Sequence, residues 1–167
     1  MSARSKARKR ALDVLYEADM RGISARGVLT SQVDRRSDTG DPALNEYVTD
    51  LVDGVGAHRD HIDELLSSYS MGWTLERMPA VDRSILRVGC YEILWRDDIP
   101  DSVAISEAVI LAQDLSTEES ATFVNGLLGR LADVKGRLRI TPDVIADDAP
   151  GATGDSPSPA TGDSPSQ

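Results

Sequence analysis

The sequence predicts an all-α protein, a compact bundle of about six or seven helices followed by a disordered C-terminal tail. Three observations predict it. Apolar residues recur at three- and four-residue spacing over most of the first 135 positions, the period of one helix face. Sustained period-2 alternation and clusters of aromatic or β-branched residues are nearly missing, so strand signals are weak. The end of the chain repeats itself: Ala152-Thr-Gly-Asp-Ser-Pro-Ser158 returns as Ala160-Thr-Gly-Asp-Ser-Pro-Ser166, with nothing to bury against its ordering entropy. The chain therefore divides into a helical domain over 1–140 and an acidic Pro/Ser/Gly/Asp/Thr-rich tail over 141–167.

The first helix is expected from about Ala3 to Arg21, with Gly22 as its stop. Ala7, Ala11, Val14, Leu15 and Ala18 form its apolar stripe. A weaker helix covers roughly Ser24–Arg35, and a polar loop runs from Arg36 to Pro42. One long helix is expected from about Ala43 to Ser68, carrying Leu44, Tyr47, Val48, Leu51, Val55, Ile62, Leu65 and Leu66 inward. Gly54 and Gly56 sit inside it at a cost of about 1 kcal/mol each relative to Ala, which close approach of another helix would offset. Pro79 suits the first turn of a helix reaching about Trp95. Ile99-Pro-Asp101 breaks that helix, and the next spans about Asp101–Asp114. The last helix starts at Ser116, where Ser116 and Glu119 have capping-box spacing, and runs to about Lys135.

Charge is unevenly placed. The formal net charge is −10, yet Arg4, Lys6, Arg8, Lys9 and Arg10 stand within the first ten residues without an acid among them. Five cations in the first turns of a helix oppose its dipole and one another. A polyanion would relieve that cost through phosphate neutralisation and counterion release, although a solubilising, frayed terminus is an equally open reading of composition alone. The cations do not by themselves choose RNA over DNA. No apolar stretch of signal-peptide length follows them, because Asp13, Glu17 and Asp19 intervene, and no stretch approaches the roughly 18 apolar residues of a membrane span. The single cysteine, Cys90, supports neither a disulfide framework nor a Cys-rich metal site and reads as core. A reducing cytoplasm with no membrane attachment is the expected location.

Signs of catalysis are lacking. No Walker or Rossmann loop appears, and no serine has a His-Asp partner set. His58, His61 and Glu64 share a helix face at the spacing of a weak metal site, but three such residues on a solvated face are more often unliganded. Gly126-Leu-Leu-Gly129 imitates a GXXG nucleic-acid loop without the mixed α/β setting it needs, so helix packing is the better account. The expectation is a non-enzyme without cofactor or metal.

Four segments together carry a resemblance. Ala7-Arg-Lys-Arg-Ala-Leu-Asp-Val-Leu-Tyr16, Val81-Asp-Arg-Ser-Ile-Leu-Arg-Val-Gly-Cys-Tyr-Glu-Ile-Leu94, Ile99-Pro-Asp-Ser-Val-Ala-Ile-Ser-Glu-Ala-Val109 and Thr117-Glu-Glu-Ser-Ala-Thr-Phe-Val-Asn-Gly-Leu127 resemble, in order, the motifs of the NusB family. The resemblance spans roughly residues 4–135, matching poorly from Gly22 to Asp41, and the acidic tail has no counterpart in the pattern. It implies two small helical bundles packed together and a transcription antitermination factor that binds the boxA RNA of rRNA leader transcripts. The implied partners are a small-subunit ribosomal protein acting as NusE, the RNA polymerase antitermination complex with other Nus factors, and a second copy as a possible homodimer.

For RNA, the candidate residues are Arg4, Lys6, Arg8, Lys9 and Arg10. Tyr16 is placed either to stack on a base or to cap the core. Phe123 alone reads as core, whereas the resemblance sets it and Asn125 beside the RNA. For the protein partner, the candidates lie on the polar side of the helix from Asp82 to Arg96: Asp82, Arg83, Arg87, Tyr91 and Glu92, with a solvated face as the other reading. A helical adaptor or homodimer without sequence-specific RNA binding is the alternative function.

Overall fold

The computed structural model describes residues 1–140 and Asp143, and opens with the helix that the periodicity predicts. Helix α1 is Ala3–Arg21. The Ser2 hydroxyl caps it by accepting from the Ser5 amide at 3.0 Å, and Gly22, at φ 64°, ends it in the left-handed region where glycine is favoured. Helix α2, Ala25–Thr39, is longer than expected and stops only at Gly40, again at a positive φ of 72°. The long helix expected over 43–68 is two helices, α3 (Glu46–Ala57) and α4 (Arg59–Tyr69). They part at His58 (φ −109°, ψ 12°), whose ring leaves the helix line to stack on Trp95 with centroids 4.3 Å apart. Asn45 caps α3, its side chain accepting from the Tyr47 amide at 2.9 Å, which sets the start three residues later than Ala43.

A single 3-10 turn, Leu75–Arg77, leads to α5 (Ala80–Trp95). Pro79 is the residue before its first turn rather than within it. Helices α6 (Asp101–Leu115) and α7 (Glu118–Val134) complete the domain, with a second 3-10 turn at Lys135–Arg137. The cap of α7 is Thr117, not Ser116: Ser116 lies outside the helix at ψ −137°, and the Thr117 hydroxyl accepts from the Ser120 amide at 3.0 Å. Glu119 is thereby one position too early for a capping box. No strand occurs among the described residues.

Helices α1, α2 and α3 pack on one another, and α6 packs closely on α7. Helix α5 joins the two groups, touching α1, α3, α4, α6 and α7, which accounts for the two expected bundles. From Asp82 to Trp95 every side chain of α5 except half-buried Arg83 is buried. Gly54 is the close approach that the mid-helix glycines predict: a Cβ there would stand 2.0 Å from the Tyr91 ring. Gly56 faces open space, as does Gly129 of the Gly126–Gly129 stretch, where Leu127 and Leu128 do the packing instead. Cys90 is buried in the core, and burial pushes its thiol far above the ordinary range.

Among the described residues no helix is long and apolar enough to cross a membrane. The disorder expected over 141–167 falls outside the described residues apart from Asp143. Its backbone N–H donates to Trp95 O at 3.2 Å, and its carboxylate accepts from the Tyr91 hydroxyl at 3.0 Å and lies 2.9 Å from His58 Nε2. Burial and that carboxylate push the Tyr91 phenol up to about 12.

Candidate nucleic-acid interface

The five N-terminal cations separate into two groups once α1 is docked. Arg8 points inward, with a side chain only 3% exposed. Its Nε and Nη2 donate to the two carboxylate oxygens of Glu92 at 2.9 Å, a bidentate pair, and the Tyr47 hydroxyl donates to the same carboxylate. Burial pulls the Arg8 pKa down, but the hydrogen bonds and charge of Glu92 outweigh it and leave the guanidinium above its ordinary value. The Tyr47 phenol is pushed far up, first by burial and then by Glu92. Arg4, half exposed, pairs with Asp98 at 3.2 Å and lies over the Tyr47 ring at 5.0 Å, with Arg96 over the same ring at 5.2 Å. The bonds from Arg96 hold the Asp98 carboxyl below its ordinary pKa.

Lys6, Lys9 and Arg10 form the second group. All three are exposed, and among the described residues none has an ion-pair or hydrogen-bonding partner. Their i, i+3, i+4 spacing puts them on one side of α1, with Lys9 opposite the stripe of Ala7, Ala11, Val14 and Ala18 and Arg10 at its edge. The dipole cost of a basic helix start is eased from outside the helix: Ser5 Oγ donates to Glu107 Oε1 at 2.8 Å, and Arg8 Nη1 lies 3.8 Å from that carboxylate.

The polar side of α5 is largely enclosed, with Arg83 and Arg87 lining an open cavity of about 610 Å³ beside Asp19 and Asp63. Arg83 donates to Asp19 at 2.9 Å and to the carbonyls of Leu75 and Met78. Arg87 binds Asp63 through Nε at 2.8 Å. Asp82 is fully buried, accepting from Ser120 Oγ at 2.7 Å, and Tyr91 and Glu92 are buried as described. These side chains fasten α5 to α1, α4 and α7. Of the partner face expected there, Asp82, Tyr91 and Glu92 are corrected to internal contacts, because neighbouring helices cover them, while Arg83 and Arg87 still reach the cavity wall. Arg8 is likewise corrected from a surface contact to a structural one.

Tyr16 is 41% exposed and continues outward into Met20 and Ile23, at 61% and 44%. Sequence reading missed these exposed apolar residues: Tyr16 and Met20 are i, i+4 on α1, and Ile23 lies past its Gly22 stop. Phe123 is half-buried against Trp73, with ring centroids 5.0 Å apart, and Asn125 is exposed. Because Arg8 meets Glu92 while Ser120 meets Asp82, the basic head and the start of α7 stand toward opposite ends of α5. The two sets of RNA candidates are not brought together.

Residues 5–133 match the model of the NusB family. The chain belongs to the NusB family. Curated NusB relatives include the transcription antitermination proteins of Arthrobacter sp. strain FB24, 59% identical over 83% of this chain and 98% of that one, and of Beutenbergia cavernae, 52% identical over 92% and 100%. Among solved structures, NusB from T. maritima aligns with a TM-score of 0.68 at 29% identity, covering 83% of this chain and 99% of that one. A crystal structure of the antitermination factors NusB and NusE with double-stranded RNA aligns at 0.69 and 26%, covering 80% and 98%. The NusB family is one of antitermination factors and not of enzymes.

Proposed function

We propose that this NusB-family chain is a cytoplasmic transcription antitermination factor. It binds the boxA RNA of rRNA leader transcripts together with a small-subunit ribosomal protein acting as NusE. As part of the RNA polymerase antitermination complex it suppresses termination. The observation that carries the RNA contact is the trio Lys6, Lys9 and Arg10, exposed and without partners among the described residues, on a helix held rigidly to the core in a chain of net charge −10. Local positive charge on an otherwise acidic protein confines a polyanion to one face. Support for the pairing of RNA with a ribosomal protein comes from the solved relative that holds NusE and RNA together.

The partner surface that the geometry favours is the exposed apolar group of Tyr16 and Met20, on the same helix as the cations and displaced from them toward its C-terminus, with Ile23 just past the helix end. Tyr16 accordingly moves from the RNA set to the partner set. One helix would then present RNA and protein ligands side by side, which couples them through shared contact.

The test is fluorescence anisotropy of labelled boxA RNA against a scrambled RNA, with and without the ribosomal protein. Preference for boxA, tightened by the partner, is expected. Equal affinity for both RNAs would reduce the site to a general basic patch. Absence of binding in every mixture would favour a helical adaptor or homodimer.

A further inference from the structure

The trio does not lie on a flat helix face. A cavity of about 280 Å³ opens beside it, between α1, the end of α2 and the start of α3. Lys6 and Arg10 form one wall and Arg36 the other, with Ala7 and Leu44 in the lining and Asn45 at the rim. No carboxylate lines it. Lys6 and Arg10 are one turn apart on α1, but Arg36 comes from the end of α2, 26 residues beyond Arg10, so helical spacing alone does not bring it to them. Arg36 donates one bond, from Nη1 to Pro42 O at 2.8 Å, and its remaining donors have no partner among the described residues. Asn45 uses its side-chain oxygen to cap α3, which leaves its amide N–H groups at the rim.

We infer that this cavity is a subsite for a single unstacked nucleotide of the bound RNA, its phosphate between Lys6, Arg10 and Arg36 and its base against Ala7 and Leu44. The inference rests on the RNA-binding reading and extends it to a residue of α2. Single-stranded RNA is recognised by splaying bases out of the stack into such places, with phosphates fixed by cations. The size fits: the cavity is near the small end of the range for ligand sites, about 300–1,000 Å³, with room for one nucleotide and not for a helix or strand. The chemistry fits too, since an apolar floor within a cationic rim without acids suits an anion that carries a flat ring. The Asn45 amide, a donor, suits a base edge carrying a carbonyl oxygen: uracil, cytosine or guanine.

Arg36→Ala, Lys9→Ala and the unchanged protein are compared in titrations of single-stranded boxA RNA over a series of salt concentrations. A companion series replaces each nucleotide in turn by an abasic one. Arg36→Ala is expected to lower the salt slope by about 0.7, the loss of one single-strand phosphate contact. One abasic position is expected to weaken the unchanged protein by roughly tenfold, the effect of returning about 50 Å² of apolar surface to water. Circular dichroism confirms that both variants keep their helices. Binding that Lys9→Ala weakens and Arg36→Ala leaves alone, in slope and affinity, would overturn the subsite while sparing the RNA-binding face. A flat abasic series would overturn it as well. No RNA binding by the unchanged protein would overturn the RNA reading and the subsite together.

Discussion

Arg8 and Lys9 are neighbours in sequence with different roles. The side chain of Arg8 is enclosed by Glu92 and Tyr47, and that of Lys9 stands in solvent. Removing one member of a buried ion pair strands the other charge, at a cost of about 3–5 kcal/mol. Arg8→Ala is therefore expected to lower stability by that order, read as a shift of the urea midpoint, while Lys9→Ala leaves the midpoint within about 0.5 kcal/mol. Equal midpoints for the two variants would mean that Arg8 is not held by Glu92. Composition cannot tell these residues apart, since five cations in ten residues look alike until the docking of the helix is known. The signal was in the other segment: Glu92 is the one acid in the otherwise uncharged second half of α5, residues 88–95. Its partner on α1 lies where chain numbers rise as those of α5 fall, Arg8 with Glu92 and Asp19 with Arg83, the pattern of antiparallel neighbours.

At the scale of elements, α1, α5, α6 and α7 are close to where apolar periodicity and stop signals put them, because each has one decisive local cue, such as Gly22 after α1 or the Pro100 break after α5. The division of α3 from α4 was not legible. Nothing in the local sequence forbids a continuous helix through His58, and the break follows from tertiary contacts, with His58 stacked on Trp95 and bonded to Asp143. The two glycines near that break supply a test of what each one does. Gly54→Ala drives a methyl group into the Tyr91 ring and is expected to destabilise by about 1–3 kcal/mol. Gly56→Ala, with open space around it, is expected to stabilise by up to about 1 kcal/mol through helix propensity. Thermal melts of the two variants should shift in opposite directions; a shared direction would show that Tyr91 is not the constraint at Gly54. The polar residues of α5 were misread for a related reason. A helix with charges along one side looks amphipathic, and only the count of helices packing around α5 reveals that most of this side is covered.

Over the whole molecule, much of the charge is paired across helices, which makes the fold sensitive to acid. Asp98 illustrates the sign. Its folded pKa is depressed below the unfolded value by Arg96, so the stability it contributes is present above the unfolded value near pH 4 and is lost as pH falls through the folded one. Asp98→Asn is expected to flatten the loss of stability below about pH 4 relative to the unchanged protein, followed by urea titration at successive pH values. Parallel curves for the two proteins would show that Arg96 does not perturb this carboxyl. The helical character of residues 3–134 was legible from apolar periodicity. The contact of Asp143 with His58, Tyr91 and Trp95 was not, since a lone aspartate carries no local cue of docking.

The fastening of α1 to α5 at both ends, by Arg8–Glu92 near its start and Asp19–Arg83 near its finish, has a consequence for recognition. The helix backbone is fixed in place before any nucleic acid arrives, while the exposed side chains of Lys6, Lys9 and Arg10 keep their rotamer freedom. The entropy of ordering its backbone is lost when the protein folds and not when RNA binds. Under the proposed RNA contact, a small mismatch between phosphate and cation spacing would be taken up by those side chains and only a larger one by the RNA strand, so a sequence that bends and unstacks easily would gain affinity on a backbone that does not move.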